Sequence, residues 1–320
     1  MITIENLNSS HIESSARLAL SEYFDERIAV PVLPDGDYFD TYCNMLSEMT
    51  DHDLGVAAIE DGEIIGFLTC YKPWNNFFGT AMGTFSPIHA HGARKSDRRR
   101  IYSLLYQAAA EKLVGQGVLS HAIALYAHDT EAVGSFFWNG FGLRCIDAIR
   151  PVAPIACEEF PAYTFYELPK EEIKRIVLFK NSLVKHLQKT PIFMPLPVLF
   201  DEEKIEEENK SRKSRYFVAD QGGKTIAFIE IMASGENFAC DDPGMMNVCG
   251  AYMLPEYRNT GIFTGLMSYL VDILAKEGYT RCGVDFESLN PTASGFWLKH
   301  FTPYTYSVTR RIDERIYQIK

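Results

Sequence analysis

The sequence predicts a mixed α/β fold made of two tandem domains, each with a mixed, largely antiparallel sheet flanked by helices. Short apolar runs joined by Asp-Gly or Gly-Gly turns indicate hairpins, and apolar residues spaced three and four apart indicate helices. The order hairpin, helix, strand, helix occurs twice at an offset of 161 residues. Gly62, Gly117 and Asp129 thus correspond to Gly223, Gly278 and Asn290.

Length and composition indicate the number of domains and the class of protein. A chain of 320 residues favours about two domains. The predicted division is a first domain at 1–150, a proline-containing linker at 151–169 and a second domain at 170–320. At 47% hydrophobic and 23% charged residues, the composition is that of a globular protein.

Charge and cysteine content limit the partners and the compartment. A net charge of −11 argues against nucleic acid and weakly favours a cationic substrate. The N-terminus lacks signal-peptide features, and no run is long enough to span a membrane. The seven cysteines are scattered without a Cys-x-x-Cys pair, so we expect reduced thiols and a cytoplasmic location. The oligomeric state stays open.

The elements of the first half follow from periodicity and turn residues. The turn Asp61-Gly62 between two apolar runs predicts a hairpin. Gly115 and Gly117 end a helix that begins at Asp97. The predicted elements are helices at 12–24, 40–49, 97–114 and 131–138, and strands at 54–60, 63–70, 82–90 and 122–127.

The second half repeats this order. A helix opens it, and a charged stretch at 201–215 predicts either an exposed helix or a loop. Pro255 cannot donate to a sheet, so the strand before it ends there. The predicted elements are helices at 170–189, 261–276 and 290–301, and strands at 216–220, 224–231, 248–254 and 279–290.

The central motif is the strand, loop and helix between Val248 and Lys276. A helix N-terminus offers unpaired N–H groups and a partial positive charge, which suit a phosphate. Gly261 lets an anion approach the backbone because it has no Cβ, and Arg258 adds a fixed charge. The motif therefore predicts an anion site at the start of this helix.

The run Arg258-Asn-Thr-Gly261-Ile-Phe263 resembles the Arg/Gln-x-x-Gly-x-Gly/Ala pyrophosphate loop of the GNAT acetyltransferase superfamily. Phe263 departs from the pattern, which has Gly or Ala there. The later segment Asn290 to Phe301 resembles the superfamily's Asn-x-x-Ala-x-x-Phe-Tyr-x-Lys motif, with Trp297 in place of Tyr. Two linked motifs in the right order identify the chain as a member of this superfamily, of the type with two GNAT-like halves.

The resemblance implies acetyl-CoA as acyl donor and the amine of a small molecule as acceptor. In the family, the pantetheine arm pairs with the central strand and the pyrophosphate binds the loop. The donor-binding residues carried over to this chain are Ala251, Tyr252, Met253, Arg258, Asn259, Thr260, Gly261, Ile262, Phe263, Asn290 and Phe296.

The catalytic groups are less well marked. A base has to take a proton from the attacking amine, and Glu287 on the next strand is the first candidate, with Asp285 as the second. The family often uses the motif Tyr as acid for the leaving thiolate, a role that Trp297 cannot fill. Tyr304 is a candidate for it, with Tyr306 as an alternative; both also suit plain packing.

The first half keeps the order of elements but lacks the glycine loop. The offset of 161 places Arg100 where the second half has Gly261. We therefore expect a degenerate copy that shapes the acceptor pocket, with a charge-driven second CoA site at 98–100 as the rival. His89 and His91 lie on one face of a strand, a signal too weak to predict a metal.

The predicted function is an N-acetyltransferase. The alternative is a non-catalytic protein that binds acyl-CoA and regulates a partner, which the missing Tyr and the departure at Phe263 would suit. The sequence does not identify the acceptor, because acceptor loops vary freely on one scaffold.

Overall fold

The computed structural model describes residues 1–77, 79–189, 191–196 and 199–318. The chain divides into two compact units. Unit 1 consists of Met1–Ile146 together with Pro303–Lys320, and unit 2 consists of Asp147–Thr302.

The described part of the chain contains α-helices and strands, with short 3-10 segments between some of them. The helices are α1 (Ile12–Ala29), α2 (Phe39–Glu48), α3 (Arg98–Gly115), α4 (Thr130–Trp138), α5 (Val177–Leu187), α6 (Glu202–Arg212), α7 (Ile262–Lys276) and α8 (Pro291–His300). The strands are β1 (Thr3–Asn6), β2 (Val56–Glu60), β3 (Glu63–Leu68), β4 (Gly83–Ser86), β5 (His91–Ala93), β6 (Ser120–Tyr126), β7 (Gly142–Pro151), β8 (Thr164–Glu167), β9 (Arg215–Gln221), β10 (Lys224–Met232), β11 (Met245–Met253), β12 (Arg281–Glu287) and β13 (Thr302–Arg311).

Unit 1 arranges its strands in two groups. One has the order β1-β2-β3-β5 and the other the order β4-β6-β13. The predicted strand at 82–90 is in fact two short strands, because the Ala90 N–H donates to the Pro87 carbonyl and turns the chain between them. As a result β5 pairs with β3 while β4 pairs with β6. The core under these strands includes Ile101, Leu105 and Phe136.

Unit 2 has the strand order β7-β12-β11-β10-β9-β8, with β7 contributing its residues from Asp147 onward. Strands β8 to β11 are antiparallel neighbours, and β11 and β12 are parallel. The sheet is therefore mixed and largely antiparallel, as predicted. Helix α7 packs its apolar face inward, with Leu266, Leu270 and Leu274 fully buried.

The repeat is visible in the backbone. The hairpin turns Asp61-Gly62 and Gly222-Gly223 both have two successive positive φ angles, 53° and 84° in the first and 56° and 82° in the second. Such turns match the twist of a hairpin and favour Gly. Gly117 and Gly278, at φ 85° and 88°, follow the ends of α3 and α7. The predicted offset of 161 thus holds at the turns.

The structure groups some residues differently from the sequence division. Residues 151–169, predicted as a linker, belong to unit 2 and contain β8. The last residues, from Pro303, belong to unit 1, because β13 pairs with β6. The helix predicted at 170–189 begins with a 3-10 segment, Lys170–Ile176, and the charged stretch is the helix α6.

In the described ranges, no helix combines the length and the apolar character needed to cross a membrane.

Candidate functional site

The parallel strands β11 and β12 separate halfway along. They pair from Met245 to Val248 only, whereas β11 stays paired with β10 as far as Met253. The Leu254 N–H donates to the Ile226 carbonyl on the β10 side. Because main-chain groups alternate between the two edges of a strand, those of Ala251 and Met253 face the other edge, where β12 has left. An extended ligand can pair with that edge.

The loop after β11 leads into the start of α7. Pro255 ends the strand, and the chain reaches Gly261, whose φ of 81° is left-handed. A Cβ built on Gly261 would lie 3.2 Å from the Phe160 ring, so backbone conformation and packing both favour Gly here. The first N–H groups of α7 follow directly and have no acceptor within the helix. This is the predicted anion site.

Arg258 is held at this loop by the strand it follows. Its Nε donates to the Met253 carbonyl at 3.2 Å, and its guanidinium carbon lies 5.3 Å from the centre of the Tyr252 ring. The charge is thereby fixed between the end of β11 and the start of α7.

A cavity of about 680 Å³ opens at this point, within the range of small-molecule sites. None of the described residues that line it carries a carboxylate, whereas Arg258 and Lys299 contribute positive charge. Its walls include these predicted donor-site residues: Ala251, Tyr252, Met253, Arg258, Asn259, Thr260, Gly261, Phe263, Asn290 and Phe296. Ile262 does not line it, because its side chain is 2% exposed and packs in the core.

Three aromatic side chains form one wall. The Phe263 ring lies 4.9 Å from Phe296 and 6.1 Å from Trp297, both in edge-to-face geometry. Phe263, at the position where the family has Gly or Ala, therefore joins the first turn of α7 to α8. The large side chain does not close the cavity, which it lines.

Sequence reasoning missed several lining residues. Leu183 and His186 come from α5, more than 60 residues before the motif, and His300 from the last turn of α8. His186 Nε2 lies 3.2 Å from Asn290 Oδ1, and its ring lies 6.4 Å from that of Tyr252. The helical spacing of Leu183 and His186 was the available signal, but it did not show which part of the sheet α5 covers.

The predicted catalytic residues do not line this cavity. Glu287 is half-buried at the end of β12, and its carbonyl accepts from the Asn290 N–H at 3.0 Å. Tyr304 is 1% exposed and belongs to unit 1, where its carbonyl accepts from the Ala127 N–H. The roles predicted for Glu287 and Tyr304 stay predictions.

Asp285 is placed where β11 and β12 separate, one residue after the last pair, Val248 and Val284. Burial, and to a smaller extent the neighbouring carboxylates of Asp147, Glu236 and Glu287, raise the pKa of Asp285 to about 7. The carboxyl group is thus able to exchange a proton near neutral pH.

Unit 1 has a second cavity, of about 420 Å³, at the corresponding place. Its walls include Glu22, Asp25, Asp129 and Glu131, where the offset of 161 places Leu183, His186, Asn290 and Thr292 in unit 2. Carboxylates therefore replace neutral side chains. The positively charged side chains of Lys95 and Arg98 line this cavity as well.

The loop of unit 1 also differs. Helix α3 has 18 residues against 15 in α7, and it begins at Arg98 directly after Asp97, whose φ of 61° is left-handed like that of Gly261. The cap residues Asp97 and Gly261 therefore correspond in the structure, and the predicted match of Gly261 with Arg100 is wrong. Helix α3 therefore begins one turn earlier than α7, and this turn takes the place that the loop before α7 has in unit 2.

Comparison with known proteins gives a family match for part of the chain and a fold match for most of it. Residues 182–301 match the model of the acetyltransferase (GNAT) family. No curated protein sequence matches the chain.

Among solved structures, a GCN5-related N-acetyltransferase from Sphaerobacter thermophilus is similar, with a TM-score of 0.60 at 12% identity over 97% of this chain and 95% of that one. A GCN5-related glucosamine N-acetyltransferase region of a fungal multi-domain GH3 β-N-acetylglucosaminidase is also similar, with a TM-score of 0.53 at 14% identity. That match covers 97% of this chain and 38% of the fungal one. At these identities the likeness concerns the fold.

Proposed function

We propose that the chain is an acyltransferase that moves an acetyl group from acetyl-CoA to the amine of a small acceptor. The match of residues 182–301 to the acetyltransferase (GNAT) family model supports this proposal. The observation that carries this proposal is the loop from Arg258 to Gly261, which opens onto a cavity with positive charge in its walls. The pyrophosphate of acetyl-CoA would bind the first turn of α7, as anions do at helix N-termini.

The acyl arm would lie along the edge of β11 that β12 leaves. Main-chain groups of Ala251 and Met253 face that edge. An N–H donor there would stabilise the negative charge that develops on the thioester oxygen. The Cys249 thiol beside it is no nucleophile in this scheme, because burial raises its pKa far above the ordinary value.

The reaction requires one base and one acid. The amine nitrogen forms a bond to the acetyl carbon, the carbon–sulfur bond breaks, the amine proton goes to the base, and the CoA thiolate takes up a proton. We assign the base to a carboxylate of β12. Glu287 was predicted, and the pKa of about 7 now favours Asp285 over it. Trp297 has no hydroxyl to donate, and the acid role of Tyr304 stays a prediction.

The acceptor is proposed as a small amine rather than nucleic acid or a membrane. The net charge of −11 supports this choice, and the carboxylates around Asp285 suit a cationic amine. A cytoplasmic location is proposed because the seven cysteines are free thiols.

Release of CoA thiol from acetyl-CoA tests the activity, measured with a panel of primary amines of different charge. We expect turnover with at least one amine, above the rate without an amine. Tight binding of acetyl-CoA without turnover for any amine would favour the alternative, a non-catalytic regulatory protein. Failure to bind acetyl-CoA would rule out both the acetyltransferase and the non-catalytic acyl-CoA-binding protein.

A further inference from the structure

Asn290 stands just before the first residue of α8 and lines the large cavity, yet it does not cap its helix. Asn at this position normally accepts a hydrogen bond from a backbone N–H of the first turn. The corresponding residue of unit 1 does so: Asp129 Oδ1 accepts from the Ala132 N–H at 3.0 Å. The Asn290 side chain of unit 2 is therefore not used as a helix cap.

Two neighbours hold the carbonyl oxygen of the Asn290 side chain. Thr292 Oγ1 donates to Oδ1 at 2.8 Å, and His186 Nε2 lies 3.2 Å from the same atom. A carbonyl oxygen has two lone pairs, so these two donors occupy its accepting capacity. His186 Nε2 donates to Oδ1 when it carries a ring proton, and Thr292 Oγ1 lies 3.4 Å from the same nitrogen.

The amide nitrogen has no such partner. Among the described residues, Asn290 Nδ2 has no acceptor, although the residue is only 7% exposed. Because this nitrogen is not fully buried, its two N–H donors face the open cavity, where a ligand oxygen can accept from them. Asn290, His186 and Thr292 all line that cavity.

We propose that His186 and Thr292 are positioning residues that fix the Asn290 amide, so that its NH2 group donates to a carbonyl oxygen on the arm of the acyl donor. The inference rests on the proposed function and adds the groups that orient the arm. The sequence position supports it, because Asn290 follows the strand that separates from β11. Without the two donors the amide would be free to rotate and to cap α8 as Asp129 caps α4.

The test uses two ligands: CoA, which has the arm, and adenosine 3′,5′-bisphosphate, which lacks it. Thr292→Val and His186→Ala should each weaken CoA binding about 2- to 10-fold, the effect of one lost neutral hydrogen bond. Asn290→Asp keeps the shape and removes both donors, so CoA should bind at least about tenfold more weakly. Binding of the bisphosphate should not change in any of the three, because it ends at the loop.

A double variant separates positioning from direct contact. If His186 acts through Asn290, His186→Ala combined with Asn290→Asp should be no worse than Asn290→Asp alone. His128→Ala, a half-exposed histidine of unit 1, is the matched control and should bind CoA like the wild type. Far-UV circular dichroism and melting curves check that each variant is folded.

Several results would overturn the inference. Additive losses in the double variant would show that His186 contacts the ligand itself, and equal losses for both ligands would show general damage to the cleft. Wild-type CoA affinity in His186→Ala and Thr292→Val would leave the proposed function standing and remove this inference alone. If the wild type bound neither ligand, the proposed function would fail first.

Discussion

Arg98 in unit 1 and Arg258 in unit 2 each donate to the carbonyl of the last residue of a strand, Arg98 through Nη2 and Arg258 through Nε. Arg98 donates to the carbonyl of Ala93, the last residue of β5, at 2.6 Å, and Arg258 donates to the carbonyl of Met253, the last residue of β11, at 3.2 Å. Their surroundings differ. Arg98 is 7% exposed and pairs with Glu22 and Asp129, whereas Arg258 lines the large cavity. In unit 1, two carboxyl groups lie beside the guanidinium.

Replacing Gly261 should abolish tight donor binding. Gly261→Asp puts a negative charge at the anion site, forces a left-handed φ of 81° on a residue that disfavours it, and brings Cβ to 3.2 Å from Phe160. Affinity for acetyl-CoA should fall by at least ~1.4 kcal/mol, a factor of ten, in calorimetry. Gly278→Asp is the matched control, since Gly278 has a φ of 88° but lies outside the cavity. Equal affinities in the two folded variants would refute the anion site.

The chain should bind one equivalent of acetyl-CoA. The cavity of unit 1 has acidic walls, and α3 takes the place of a phosphate loop, so we expect no tight donor site there. Titration calorimetry should give a stoichiometry of one, which Gly261→Asp removes and Arg100→Glu leaves intact. Arg100 is an exposed residue paired with Asp97 and does not line the cavity of unit 1. A site that survives Gly261→Asp and disappears in Arg100→Glu would place the donor in unit 1.

Arg98 should matter for stability. Arg98→Met keeps much of the side-chain volume but leaves the carboxylate of Asp129, 12% exposed, without its cation, whereas Glu22, whose pKa burial raises to about 8, can stay protonated. Breaking a buried ion pair from one side costs about 3–5 kcal/mol, so chemical unfolding should show a loss of that size. Arg100→Glu alters an exposed pair and should cost less than about 1 kcal/mol. Similar losses for the two variants would contradict the structural role of Arg98.

The rate should depend on the protonation of Asp285. Its pKa of about 7 means that the carboxylate form, the one able to accept a proton, predominates only above that pH. In the wild type, kcat/KM should rise as pH passes through about 7. Asp285→Asn should remove this rise of kcat/KM with pH, and Glu287→Gln should keep it. The reverse result would make Glu287 the base, as the sequence had suggested.

The same residue should make stability depend on pH. Burial raises the pKa of Asp285 from 3.8 to about 7, so between these values the folded protein holds a proton that the unfolded chain has lost. The stabilisation is fully present below about pH 4 and disappears as pH rises through 7. Asp285→Asn should therefore be as stable as the wild type at pH 4 and more stable at pH 8, by on the order of 1–4 kcal/mol. Denaturant unfolding at both pH values measures the difference, and parallel stability curves would rule out the raised pKa.

Local sequence signals predicted the elements whose ends are marked by turn or cap residues. The Asp61-Gly62 turn, the glycines after α3 and α7, and the Gly261 cap all have backbone angles that Gly favours, so their positions were readable. Strand β13 also had a signal, because Tyr304, Tyr306 and Val308 alternate along it. Nothing local indicates that it pairs with β6 rather than with a strand of its own half.

The site was predictable in part for the same reason. The loop and Asn290 follow a sequence motif, and the structure brings them to one cavity. His186 was not predictable, because its role depends on where α5 packs, and Asp285 was ranked second because its burial is set by residues far away, including Asp147 and Glu236. The helix start at Asp97 was predicted, but the constant offset paired Gly261 with Arg100, because α3 has 18 residues and α7 has 15.

The position of β13 has a consequence for biosynthesis. Unit 1 takes in residues from Pro303 onward, although the rest of it ends at Ile146. At a translation rate of about 5–20 residues per second, the ribosome needs roughly 10–30 s to make the intervening stretch. During that interval β6 would present an open edge of the kind that recruits stray strands. The nascent first half therefore has to wait for the last part of the chain, and chaperone protection during that wait would be expected to raise the yield of native protein.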